Sequence, residues 1–468
     1  MVPAQRREKG GEDSGTNTFE ASKASGSMVS FKGNEFLKRR ENMGKKLEGD
    51  VSRRTFLKGT AAGVTFLAVS GVPALLRAQQ PPIRIGAVIP LSGNYGFLGA
   101  SERCGIGIAV DEFNSKGGLL GRKIEVLEED CATDAALAIR KAQRLLQAEK
   151  VDYFTNGGGS SVSAAVADFA KKEGVIDMCI DPNSDILTGE KANRYFFMVP
   201  VLNYQIAHTV APYVADSIGK KWYYFTHDYS WGWTLTESCR KFMKQKGAQE
   251  VGESKIPLNT RDYSSFLLKV RSAKPEVLMV NVAGVDFTSM VEQIYEFGLH
   301  KTVKIVVPLE DFEDAWAVGP EKNAVFALMG VEWHYAIPGV PGIKEFVDRY
   351  KKLYPRAPYP VPTTNSFNAY IGIRELLRAV ERAGTLEAPK VIKALEGHTF
   401  KDSLKNDPTT IREWDHQFVQ DFYYFRPKKK KDMKDWTDIF EYVGYGKGSE
   451  KAITRDLSQA KMEKLPGE

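Results

Sequence analysis

The sequence is poor in the residues that carry redox, metal or nucleophilic chemistry. Four cysteines, Cys104, Cys131, Cys179 and Cys239, are spread over 468 residues with no CxxC pair and no metal-ligand spacing. They read as buried free thiols, although an oxidising compartment would permit a disulfide. The six histidines, His208, His227, His300, His334, His398 and His416, are scattered. There is no GxSxG elbow, no HExxH helix, no GxxxxGK[ST] phosphate loop and no GxGxxG turn. The expectation is a protein that is not an enzyme, with no cofactor and no metal.

An excess of one charge is missing too. The formal net charge is +6. Residues 1–78 hold 14 Lys+Arg against 8 Asp+Glu, so the rest of the chain is balanced. A balanced chain lacks the basic face by which nucleic acid is held. The one basic run, Lys428 to Lys431, is followed by Asp432 and Asp435 and reads as a solvated loop. No long apolar run follows residue 78, and 43% of the chain is hydrophobic, which suits a globular protein of two domains.

What is present begins with "SRRTFLKGTAAGV", Ser52 to Val64. Arg53 and Arg54 precede a mostly apolar stretch, Ala61 to Leu76, that ends in Leu76-Arg77-Ala78. A charged segment, a short apolar segment and a small residue at the cut describe a signal peptide over 51–78. The paired arginines resemble the twin-arginine type. The run is short and too diluted by Gly, Ser and Thr for a membrane span. Residues 1–50, rich in Gly, Ser, Lys and Glu, read as a disordered extension. They form either a long leading segment or sequence upstream of a start at Met28 or Met43.

From Ile83 apolar strand-like runs alternate with helical ones: Ile83–Val88, Gly99–Asn114, Lys123–Leu127, Asp134–Glu149, Tyr153–Thr155, Ser161–Glu173 and Val175–Cys179. After Tyr195–Pro200 the rhythm restarts through Trp222–Thr226, Glu250–Ile256, Val277–Val282 and Val303–Val307. Helices Glu345–Leu353 and Asn365–Ala383 and strands Phe418–Phe425 and Asp438–Val443 close the chain. This order predicts an α/β protein of two open parallel-sheet domains. Ligands of such sheets bind outside the carboxyl ends of the strands, so the cleft between the two is the expected site.

Within it, "TNGGGSSVSAAVADFAKKEGV", Thr155 to Val175, is the most informative stretch. A strand ends, three glycines turn, and Ser160 and Ser161 open a helix. Ser160 is the expected N-cap. The free amides of the first turn and the helix dipole favour a carboxylate or another acceptor there.

The segments "IRIGAVIPLSGNYGFLG", "AVDEFNSKGGLLGRKIEVLEED", "EGVIDMCIDPNSDILT", "FTHDYSWGW" and "TTNSFNAYIGIRELLRAVERAGT" together resemble type I periplasmic binding proteins of the leucine/isoleucine/valine type. Those are the solute-binding partners of ABC importers, and the resemblance runs from Ile83 to about Gly446. "KKWYYFTHDYSWG" and "PLNTRDYSSFLLKVRSAKPEV" look closest to a branch that includes binders of aromatic acids. The resemblance implies two α/β lobes joined by a multi-strand hinge: 79–202 with 334–412, and 203–333 with 413–448, followed by a tail, 449–468. Crossings are expected near Val199–Asn203, Val331–Tyr335 and Arg412–Gln417.

It also implies a site. Ser160, with Ser161 beside it, receives the ligand carboxylate, and the loop Asp181-Pro182-Asn183-Ser184 adds polar contacts through Asp181 and Asn183. Tyr95 and Phe97 line the cleft from the first loop. Tyr229 or Trp231, Ala283 and Asp286 face them from the second lobe, and Glu310 meets a ligand amine. Three departures stand out. Ala283 or Gly284 stands where an aromatic is expected, Asp181 where a small residue is expected, and Gly159 where the family's disulfide cysteine is expected.

The reading is therefore an exported, hinge-closing solute-binding protein in the periplasm. It takes an amino acid or amide and passes it to membrane permease subunits, with no nucleic-acid partner. The alternatives are a binder of aromatic or other acids without an amine, and a periplasmic sensor acting through a separate partner. A cofactor enzyme exported folded is the rival from another class.

Overall fold

The computed structural model describes residues 80–468, which belong to one compact unit. The N-terminal extension, the signal segment and Arg53 and Arg54 lie outside the described residues. Two sheets organise the unit. The first contains β1 (Ile83–Ile89), β2 (Ile124–Asp130), β3 (Tyr153–Asn156), β4 (Asp177–Cys179) and β5 (Phe196–Met198), all parallel, in the order β2-β1-β3-β4-β5. The second contains β6 (Lys221–His227), β7 (Gln249–Ile256), β8 (Val277–Asn281), β9 (Lys304–Val307) and β10 (Phe326–Val331), parallel, in the order β7-β6-β8-β9-β10. The two parallel runs thus share one topology, 2-1-3-4-5 by chain order.

The second sheet is not wholly parallel. After a small three-stranded sheet of β11 (Thr399–Phe400), β12 (Thr409–Ile411) and β13 (Phe418–Val419), strands β14 (Phe422–Pro427) and β15 (Phe440–Gly446) add antiparallel beyond β10. Residues 428–439, with a single 3-10 turn at Lys430–Asp432, join them.

The central strands are buried on both faces because helices cover both, while the outer strands β2, β7 and β15 are only partly buried. Val277 to Asn281 is buried throughout, and Trp222, Tyr224 and Phe225 of β6 are fully so. Burial of each such side chain is worth about 1.5–3 kcal/mol. Helix Thr364–Ala383 packs along helix Gly96–Asn114 of the first lobe. All four cysteines are buried and unpaired. No helix of the described residues is long and apolar enough to cross a membrane.

The lobes are joined by polar groups inside the hinge. Chain leaves the first lobe after β5, returns after β10, and leaves again after Gln417, which bridges Met198. Glu332, just past β10, accepts from the Val201 amide (2.8 Å) and from Asn183 Nδ2 (2.6 Å). Lys405 donates to the backbone oxygens of Glu332 and Asp421. Gln420 donates to Val199 O at 2.7 Å.

Candidate functional site

A 2-1-3-4-5 sheet reverses direction of growth between its first and third strands, and the crevice beyond their carboxyl ends is the binding position. In the first lobe those ends are the loops after β1 and β3. In the second they are the loops after β6 and β8. The structure brings all four loops around one small cavity, of about 40 Å³ in this arrangement of the lobes.

The first loop is anchored by Asp130 at the end of β2. Its carboxylate accepts from the amides of Leu91 (2.9 Å), Ser92 (3.2 Å) and Ala132 (2.8 Å) and from Ser92 Oγ (2.6 Å). Tyr95 N donates to Thr133 Oγ1 at 3.2 Å, so Tyr95 and Leu98 are presented to the cavity from a fixed loop.

The glycine turn after β3 needs its glycines. Gly158 and Gly159 have φ of +97° and +95°, and a Cβ on Gly158 would lie 2.7 Å from Cys131 Sγ. The N-cap of helix Ser160–Glu173 is Gly159 rather than Ser160, and Ser160 makes no capping bond. The Gly159 backbone, extended at positive φ, starts the helix one residue earlier than a serine cap would. Ser160 Oγ is buried, borders the cavity and has no protein partner.

Asp181, on the loop after β4, turns back onto this turn. Its Oδ2 accepts from Gly158 N (2.7 Å) and Gly159 N (2.8 Å). Asn183, from the same loop, borders the cavity and reaches the hinge through Glu332.

In the second lobe, the loop after β6 presents Tyr229 and Trp231, stacked with ring centroids 5.9 Å apart. The Tyr95 and Tyr229 hydroxyls meet at 2.6 Å, closing one side of the cavity. Ala283 borders it after β8, and the missing aromatic there is offset by Gly284. A Cβ on Gly284 would sit 3.0 Å from the Tyr95 ring, so this glycine lets Tyr95 lie against the second lobe. After β9 come Leu309, Glu310 and Asp311.

The electrostatics are one-sided. Asp181, Glu310 and Asp311 border the cavity, and no Lys, Arg or His does. Glu310 is 2% exposed, and its polar neighbours are Asp314 and the backbone of Asp311. Burial and the neighbouring Asp314 hold its pKa well above the ordinary carboxylate range. Burial raises Asp181 too, against the pull of the two glycine amides. Asp311 is pushed well up by burial, Glu313 and Asp181. Glu102, fully buried behind the glycine turn, is raised by burial and by Asp181, Asp311 and Glu313. Such a cavity suits a molecule that brings N–H donors or positive charge.

Of the residues singled out in the sequence, Tyr95, Ser160, Asp181, Asn183, Tyr229, Trp231, Ala283 and Glu310 border this one cavity. Ser161 borders an outer compartment on the far side of the Tyr95–Tyr229 pair. Phe97, half-buried in the first turn of helix Gly96–Asn114, borders neither. Asp286 is placed inside the second lobe, not at the cavity. It accepts from Asn259 N at 2.7 Å and contacts His227 Nε2 at 3.1 Å, which leaves it structural. Leu98 closes the first loop, Ser92 to Leu98, that was expected to line the cleft, whereas sequence reasoning missed Leu309 and Asp311. Leu309 looks like core, but the acidic run "PLEDFED" after β9 was a signal for Asp311. Among the described residues no group of His, Cys, Asp and Glu is arranged to hold a metal.

Comparison with known proteins agrees with this geometry. The family described as periplasmic binding protein matches residues 82–432. The chain is 29% identical over 349 residues to a Leu/Ile/Val-binding protein homolog 7 of Brucella suis biovar 1 (strain 1330), covering 70% of this chain and 85% of that one. An amino acid ABC transporter substrate-binding protein from Pseudomonas fluorescens Pf-5 shares the fold with a TM-score of 0.74 at 23% identity, covering 82% of this chain and 99% of that one. A solute-binding protein of an ABC transporter from R. palustris, in complex with benzoate, does so with a TM-score of 0.68 at 18% identity, covering 81% and 99%. The chain belongs to the periplasmic binding protein family, and is a binding protein rather than an enzyme.

Proposed function

From this membership we propose that the chain is the extracytoplasmic solute-binding component of an ABC importer of the branched-chain amino-acid type. It holds an amino acid or amide between its lobes and delivers it to membrane permease subunits. The observation that carries the reading is Glu310, a buried acid at the wall of an interlobe cavity that holds Asp181 and Asp311 but no basic residue. An ammonium or amide N–H of the ligand satisfies it. Ser160 Oγ and the aromatic faces of Tyr229 and Trp231 supply the remaining contacts. The Brucella relative's name and the Pseudomonas fluorescens structure's description point to the same ligand class. A calorimetric screen of amino acids, short amides and aromatic acids tests it. Micromolar binding of a simple aromatic acid, with none for any compound bearing an amine or amide, overturns it.

That second reading, an acid without an amine, has its own support in the aromatic wall of Tyr95, Tyr229 and Trp231 and in the benzoate complex of the R. palustris protein. The family places the protein in the periplasm. For the route we propose twin-arginine export through Arg53 and Arg54. Replacing both with Lys should hold the precursor in the cytoplasm, and a normal periplasmic yield of that variant refutes the route.

A further inference from the structure

We infer that Asp181 is a built-in anion that fills the seat offered by the glycine turn, so that the ligand of this cleft is an N–H donor without a carboxylate: an amine, amidine or amide. The inference deepens the proposed function and rests on it.

The turn after β3 is shaped to hold an oxygen anion. Gly158 and Gly159 aim two successive amides at one point, just ahead of the first turn of a 14-residue helix whose dipole favours negative charge there. In this chain that point is occupied. Asp181 Oδ2 receives both amides, at 2.7 and 2.8 Å. A ligand carboxylate would have to displace it, and the displaced Asp181 would then lie beside the new anion in a buried space. Nothing at the wall offsets that repulsion, since the other ionisable groups there are Tyr95, Tyr229, Glu310 and Asp311. Like charges brought together away from water are strongly unfavourable.

A second, independent feature points the same way. Glu310 is 2% exposed and borders the cavity beside Asp311, with Asp314 behind it and no basic group at the wall. The cavity therefore has acceptors waiting for donors, while its turn amides are already spent on the protein itself. Ser160 Oγ, 4% exposed and unpartnered, can accept as well as donate, so it fits the same ligand.

The experiment is a comparison of wild type with Asp181→Ala against four probes: benzamidine, isobutyramide, leucine and benzoate. Wild type is expected to bind at least one of the first two and neither of the last two. Asp181→Ala empties the seat, and leucine or benzoate should then bind at least tenfold more tightly than to wild type. Failure of Asp181→Ala, folded by circular dichroism, to gain any carboxylate ligand overturns the inference. Should that variant not fold, amide NMR of wild type decides. Benzoate at saturating concentration should leave the Gly158 and Gly159 resonances in place, and movement of both on binding overturns the inference. Leucine binding to wild type that is lost in Trp231→Ala removes the inference but leaves the transport reading intact. A ligand whose affinity ignores both Trp231→Ala and Ser160→Ala sits outside the cleft and removes both.

Discussion

Tyr95 and Tyr229 join the two lobes hydroxyl to hydroxyl at 2.6 Å, and they come from topologically equivalent loops, one after β1 and one after β6. Both rings are largely buried, and their bond separates the inner cavity from the outer compartment. This contact exists only while the lobes are together, so it contributes to closure and not to either lobe alone. Tyr229→Phe removes one partner and leaves the Tyr95 hydroxyl unsatisfied. The cost of about 1 kcal/mol corresponds to roughly fivefold weaker ligand binding. Adding Tyr95→Phe should cost little more, because both hydroxyls are then gone. Calorimetry on the two single variants and the double variant checks this, and additive losses would show that the hydroxyls act separately.

Closure should also depend on pH. Glu102, Asp181, Glu310, Asp311 and Glu313 all have pKa values raised, first by burial, in this closed arrangement. A carboxyl group with a higher pKa closed than open takes up a proton on closing. Ligand-free closure is therefore favoured in acid and lost as pH rises from the ordinary carboxylate values of 3.8 and 4.5 through the raised ones. Scattering curves of the ligand-free protein should give a smaller radius of gyration at pH 5 than at pH 8. The reverse order would mean these groups are not brought together by closure. A cationic ligand has the opposite trend, because ionised carboxylates attract it.

Glu310 separates stability from function. Glu310→Gln removes a buried carboxyl group crowded by Asp311 and Asp314, so thermal stability should hold or rise. Ligand affinity should fall by roughly tenfold to a hundredfold, since a charge-assisted hydrogen bond is worth about 1.5–3 kcal/mol. Ser160→Ala should likewise leave the melting temperature unchanged, because its hydroxyl meets no protein group. A drop in stability with unchanged affinity in either variant would assign that side chain to the fold.

The alternation of strands and helices was legible because apolar runs and glycine stops are local. Gly174, directly after the helix read as ending at Glu173, is a left-handed cap with φ of +70°. Strand order was not legible, since it depends on which distant runs pair, and β14 and β15 joined antiparallel rather than ending a parallel sheet. Most of the cavity wall could be named because loops at strand ends were the place to look. What the acids do there could not. Asp181 meets Gly159 across 22 residues only through the pairing of β3 with β4. Asp286 follows Gly284 closely, yet the start of helix Val285–Phe297 carries it to His227 instead of the cavity.

The hinge gives the last prediction. Glu332 binds the Val201 amide of the first crossing and Asn183 of the cavity wall, while its own carbonyl accepts from Lys405, which also reaches Asp421 just after the third crossing. Lys405 is buried, and burial pulls its pKa down against the raising pull of Glu332 and Asp421. Glu332→Ala leaves that ammonium without its main counter-charge, and the cost should be about 3–5 kcal/mol in urea unfolding. Lys405→Met added to Glu332→Ala removes the stranded charge, so the double variant should be more stable than Glu332→Ala alone. If the double variant is instead the less stable, the two groups do not act as a pair. In either background Asn183 keeps only Val201 O as a side-chain partner, and ligand affinity should fall even though no residue touching the ligand has been changed.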